Sequence, residues 1–104
     1  LEWDLFGRER SYYPLKPTID MPSDAHRIDV ISWIISEGFG DRVVVAHDIC
    51  SKDRLLKYGG HGYFYILAQI VPRMRARGYD EEAIRRILVK NPAAALKFAE
   101  PEAA

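Results

Sequence analysis

Gly40-Asp41-Arg42-Val43-Val44-Val45-Ala46-His47-Asp48 is the stretch on which the fold turns. Three consecutive valines with no polar residue between them do not fit a strand that shows one face to water, because such a strand alternates. The run predicts a strand over Arg42 to Ala46 covered on both faces, as in a parallel sheet. His47-Asp48 then falls at its C-terminal end, where parallel sheets collect their functional groups.

Upstream, Leu1-Glu2-Trp3-Asp4-Leu5-Phe6 is short, partly apolar and closed by Gly7, which predicts an earlier strand. Arg8 to Pro22 carries Pro14, Pro17 and Pro22 with no sustained period and reads as a long loop. Ser23 is placed to cap a helix whose stripe is Ile28, Ile31 and Ile35, widened by Val30 and Ile34 and ended by Gly38. Downstream, Ile49 to Gly62 reads as a second long loop, because Gly59-Gly60-His61-Gly62 is too permissive for regular structure. Tyr63, Ile66, Leu67, Ile70, Val71 and Met74 then repeat at helical spacing, with Pro72 expected to kink or break that helix. Asp80 caps a further helix buried through Ile84, Ile87 and Leu88, and Asn91-Pro92 is expected to end it and open a short one over Ala93 to Phe98. Two β-to-α units in succession call for parallel strands joined by a right-handed crossover.

The chain has 104 residues, which allows one small domain, and residues 99–104 read as a disordered tail. Fifteen Lys+Arg offset fifteen Asp+Glu, so no basic field exists to hold a phosphate backbone and nucleic acid is not an expected partner. No apolar run is long enough to span a bilayer, and one cysteine cannot form an internal disulfide; a cytoplasmic, membrane-free protein is the expectation. The chain opens on Leu1 inside a strand, as a fragment would.

The run Asp41 to Cys50, followed by Tyr58-Gly59-Gly60-His61-Gly62-Tyr63 and Ile70-Val71-Pro72-Arg73-Met74, resembles the phosphotriesterase family, and within it the phosphotriesterase-related branch of the amidohydrolase superfamily. The resemblance runs from Leu1 to about Phe98 and implies an α/β fold: the last two β/α units and terminal helices of a (β/α)8 TIM barrel. It also implies a hydrolase that uses two divalent metal ions, zinc first, with cobalt, manganese or iron as alternatives. A hydroxide bridging those ions would attack an ester, lactone, amide or phosphotriester. Of the family's ligands, which include a His-x-His pair, a carboxylated Lys or a Glu, and two further His, only the last Asp maps onto this chain, at Asp48. Asp48 is therefore the expected metal ligand and the acceptor of the proton released in the attack. Asp4 occupies the matching end of the earlier strand, where the family places an Asp that supports the metal ligand. Leu5 stands where phosphotriesterases resemble one another in a His and related lactonases in an Arg, and its aliphatic side chain argues against both of those specificities. A barrel of the same lineage that binds a ligand without turnover is the alternative.

Both long loops should overhang the strand ends, where a barrel's specificity is set. Leu5, Arg8, Ile49, Tyr58 and His61 are the candidate substrate contacts, each weighed against a solvated surface role. Arg8, Arg10, Lys52 and Arg54 around one mouth hint at a small anionic substrate, with pairing into a homodimer left open. His47 is expected to be structural, one residue before Asp48 and facing away from it. Gly59-Gly60-His61-Gly62 lacks the spacing and the Lys-Ser/Thr of a phosphate loop and reads as a tight turn. Cys50 is expected to be a small apolar filler.

Overall fold

A computed structural model describes residues 1–102. Along the chain come β1 (Glu2–Trp3), β2 (Tyr12–Tyr13), β3 (Lys16–Asp20), α1 (Asp24–Ser36), β4 (Val44–Val45), α2 (Val71–Ala76), α3 (Glu81–Arg85) and α4 (Asn91–Leu96). β1 and β4 pair in parallel, with Glu2 opposite Val44 and Trp3 opposite Val45. Backbone bonds extend this ladder: Val44 N–H to the Leu1 carbonyl at 2.9 Å, Ala46 N–H to that of Trp3 at 3.1 Å, and Phe6 N–H to that of Ala46 at 3.3 Å. The two units and their parallel strands are as the valine run predicts, although both strands are shorter and Gly40–Arg42 forms a 3-10 turn. Val43 is buried whereas Val44 and Val45 are half-buried, so the run is covered less completely than its sequence predicts. A sheet two strands wide has little area with which to shelter both faces.

One apolar cluster joins Phe6 and Val43 to Ile28, Ile31 and Ile34 of α1 and to Ile66, Ile70, Met74, Ile84 and Ile87 of the later helices. Each such side chain contributes about 1.5 to 3 kcal/mol on leaving water. Ser23 Oγ accepts the His26 N–H at 3.1 Å and starts α1 as expected. Tyr79 enters the same cluster and donates its hydroxyl to the Ile28 carbonyl at 2.5 Å.

Neither Pro72 nor Pro92 breaks a helix. Each follows a π-helical turn, Ile66–Ile70 before α2 and Arg86–Lys90 before α4, so two continuous helices run through the expected break points. Proline cannot donate to the carbonyl four residues back and crowds it; widening the preceding turn, with Val71 N–H reaching the Ile66 carbonyl, makes room. Asn91 is correspondingly not a terminator. It is buried, and its Nδ2 donates to the carbonyls of Gly40 at 2.8 Å and Val43 at 2.7 Å, fastening the helix to the start of β4.

The loop expected over residues 8–22 contains the β2–β3 hairpin, with Tyr12 opposite Asp20 and Tyr13 opposite Lys16 around a bulge. Pro14 sits in its turn and Pro17 on a fully exposed strand that has a free edge, positions where the missing N–H costs nothing. The second loop holds two 3-10 turns, Lys52–Arg54 and Leu56–Tyr58. Residues 99–102 carry no helix or strand, and the rest of the expected tail, 103 and 104, lies outside the described residues. Among the described residues no helix is long and apolar enough to cross a membrane.

Candidate functional site

The parallel pair ends at Leu5 on one strand and Asp48 on the other, and both residues adopt left-handed backbone conformations, φ 62° and 52°. Non-glycine residues reach that region at a cost of order 1 to 3 kcal/mol and do so mostly at functional sites. Here the turn sends each chain away from the sheet and opens a cavity of about 270 Å³ lined by Leu5, Arg8, Arg10, Tyr13, Pro14, Met21 and Asp48. Three of the sequence candidates, Leu5, Arg8 and Asp48, therefore meet in one place. The hairpin supplies Tyr13 and Pro14 as a wall, which a reading of residues 8–22 as structureless did not foresee.

Ile49 and His61 line a second cavity, about 200 Å³, together with Phe6, Gly7, Asp53, Arg54 and the glycines around His61. His61 stacks on Tyr65 with ring centroids 4.4 Å apart. Tyr58 lines neither cavity; its exposed ring lies between the ammonium groups of Lys52 and Lys57, 5.4 and 5.7 Å from its centroid. Asp4 is exposed, and among the described residues no hydrogen bond joins it to Asp48. Cys50 is exposed rather than a buried filler.

His47 packs away from the cavities. Its Nε2 accepts the Ile66 N–H at 3.0 Å, which fixes the start of the π-helical turn to the end of β4. Burial, helped by the charge of Arg54, holds its pKa below the usual imidazole range, which suits a ring that accepts through Nε2.

Asp24, Arg27 and Arg54 are buried charged residues that were not legible as such, and two of them tie separate elements together. Asp24, the first residue of α1, is fully buried. It accepts from Gly7 N–H at 3.1 Å, Arg27 Nη1 at 3.1 Å and Tyr65 Oη at 2.8 Å, so it ties the loop after β1 to α1 and to the helix after the second loop. Burial, followed by the Asp24 bond, pushes the Tyr65 hydroxyl up to about 12. Arg54 is the second: Nη1 donates to the Asp48 carbonyl at 2.6 Å and Nη2 to the Phe6 carbonyl at 3.2 Å. The signal for Asp24 was its place after a Ser cap, which reads equally well as a surface anion on the helix dipole.

The donor chemistry at Asp48 fits a divalent ion. Its carboxylate is exposed at the strand end, and among the described residues no ion pair or side-chain hydrogen bond engages it. The described residues contain no group of three or more His, Cys, Asp or Glu able to hold a metal together.

Comparison with known proteins agrees with this architecture. Residues 1–96 match the Phosphotriesterase family. The N-acetyltaurine hydrolase of Xenopus tropicalis is 51% identical over 98 residues, 94% of this chain and 28% of that protein. The resiniferatoxin-binding protein from Rhodobacter sphaeroides superposes with a TM-score of 0.82 at 30% identity, over 92% of this chain and 27% of that one. The lactonase from Listeria monocytogenes gives 0.70 at 30% identity, over 93% and 29%. The chain thus spans 28% of the length of the curated relative it matches. With residues 1–96 matched and its two β/α units superposing on barrels of this kind, the chain belongs to the phosphotriesterase family and is a partial (β/α)8 barrel.

Proposed function

We propose that the full-length protein carrying these residues is a metal-dependent hydrolase that cleaves an N-acyl amide whose amine part bears an anionic group. The observation that carries this reading is the meeting of Asp48 with Arg8 and Arg10 in one cavity. Likeness to an N-acetyltaurine hydrolase at 51% identity supports an amide over the ester, lactone or phosphotriester that the family also allows. Two divalent ions, zinc first, would supply Lewis acidity and a more acidic water at the mouth. One oxygen of Asp48 would bind, and the other would accept the proton that the attacking water gives up. Arg8 and Arg10 would hold the anionic end through charge-assisted bonds. Leu5 and Met21 would give the acyl group an apolar wall. Ile49, Tyr58 and His61 are candidate contacts on the second loop, and Asp4 a candidate support for Asp48.

The test is a panel of N-acyl amino sulfonates, N-acyl amino acids, lactones and phosphotriesters on the full-length protein, before and after chelation and with zinc, cobalt or manganese restored. Amide turnover that falls on chelation and returns with metal is the expected result. Turnover indifferent to chelation would overturn the metal-dependent reading.

A second reading, a barrel that binds without turnover, draws support from the 0.82 superposition on a protein described by what it binds. Saturable binding of panel compounds with no product formed would favour it.

A further inference from the structure

We propose that Arg54 is the positioning residue of the Asp48 site and that Gly59-Gly60-His61-Gly62 exists to hold it there, an inference that rests on the hydrolase reading above. An arginine in a polar loop ordinarily keeps its head in water. Arg54 is 8% exposed, and among the described residues it has no acidic partner. Its two hydrogen-bonded nitrogens go to neutral backbone carbonyls, that of Asp48 at 2.6 Å and that of Phe6 at 3.2 Å. A buried charge without a counter-ion is costly. What the cost secures is geometric: one planar fork ties together the ends of both paired strands. The carbonyl it grips beyond β4 belongs to the residue in the left-handed conformation, so the bond fixes the peptide after Asp48 and with it the direction of the carboxylate. The other carbonyl is next to Leu5, the second left-handed residue.

The glycine motif accounts for the clasp from behind. A Cβ on Gly60 would lie 2.1 Å from the carbonyl carbon of Arg54, closer than any side chain can approach. Gly62, at φ +74°, donates its N–H to the Arg54 carbonyl at 2.9 Å. The turn is wrapped on the arginine's backbone, with Gly60 where a side chain would push Arg54 out of line.

In the full-length protein, Arg54→Met, Arg54→Lys and Asp48→Ala are compared by circular dichroism, by metal per chain from plasma mass spectrometry, and by kcat and KM on the preferred amide. Both Arg54 variants should keep the fold, lose about 10- to 100-fold in kcat with little change in KM, and bind less metal, as outer-shell losses do. Lysine keeps the charge but reaches only one carbonyl, so it should not restore the rate. Should Arg54→Met fail to fold, Arg54→Lys alone decides. Unchanged kcat and metal content in a folded Arg54 variant overturn the proposal, as does a rise confined to KM, which would make Arg54 a substrate contact. Either result beside a dead Asp48→Ala removes only the positioning role, whereas an unimpaired Asp48→Ala removes Asp48 from the hydrolytic mechanism and this proposal with it.

Discussion

Leu5 and Asp48 lie at the ends of neighbouring parallel strands, share the left-handed backbone region at φ 62° and 52°, and face one cavity. The same irregularity on both strands builds the mouth: each turn lifts a side chain off the sheet toward the hairpin, and the space between becomes the cavity.

Asp48→Ala in the full-length protein should leave the fold intact, because the exposed carboxylate contributes nothing to the cluster around Val43. Turnover should fall about 100- to 10,000-fold from loss of the proton acceptor alone. Asp48→Asn keeps a neutral oxygen donor and should retain more metal than Asp48→Ala while staying slow. Rates and metal content measured on both variants would separate the two roles, and wild-type rates in both would remove Asp48 from the mechanism.

Leu5→Arg should change relative rates across the substrate panel far more than it changes thermal stability, since the half-buried side chain lines the mouth and pocket contacts set specificity. An unaltered order of preference would mean that substrate does not reach this wall.

Tyr65→Phe removes a 2.8 Å bond to a fully buried carboxylate and should cost about 1 to 3 kcal/mol in denaturant unfolding. Its alkaline signature has a definite sign. The hydroxyl is pushed up to about 12 in the folded protein, against about 10 unfolded. Wild-type stability should therefore include a part present below about pH 10 and lost as pH rises through about 12. The variant lacks that part, so the gap between the two proteins should narrow between about pH 10 and about pH 12. A gap that stays constant would mean that the Tyr65 hydroxyl is not raised in the folded protein.

Asn91→Ala should destabilise by about 1 to 3 kcal/mol, because it orphans two buried carbonyls. Thermal unfolding of the full-length protein checks this, and an unchanged transition would place the amide in solvent.

The sequence carries the periodic parts of this fold openly. Ile28, Ile31 and Ile35, widened by Ile34, announce α1, and the valine run announces a parallel strand, because both depend on side chains whose burial repeats with the backbone. What it conceals depends on backbone groups reached from afar. Arg54 looks like any loop cation, since its partners are carbonyls, which every residue has. The hairpin is hidden by prolines that a free edge tolerates, and the π-helical turns by a local widening that leaves the apolar stripe nearly in phase. Of the candidate site, Leu5, Arg8 and Asp48 were legible as a group. Tyr13 and Met21 join them only because the hairpin folds back over the strand ends.

The Asn91 clasp has a consequence for the ribosome. Chain emerges from its N-terminus, so β4 and Asp48 are made well before the amide that fastens them, which lies 51 residues beyond Gly40 and 48 beyond Val43. Contacts of such long sequence separation form late, after their loop-closure entropy has been met. During synthesis the strand that leads to Asp48 thus waits, the carbonyls of Gly40 and Val43 hydrated, until a helix from far downstream arrives to close over it. A ribosome that stalls between the two would hold a chain with Asp48 already made and its strand still unfastened, a natural point for a chaperone to engage.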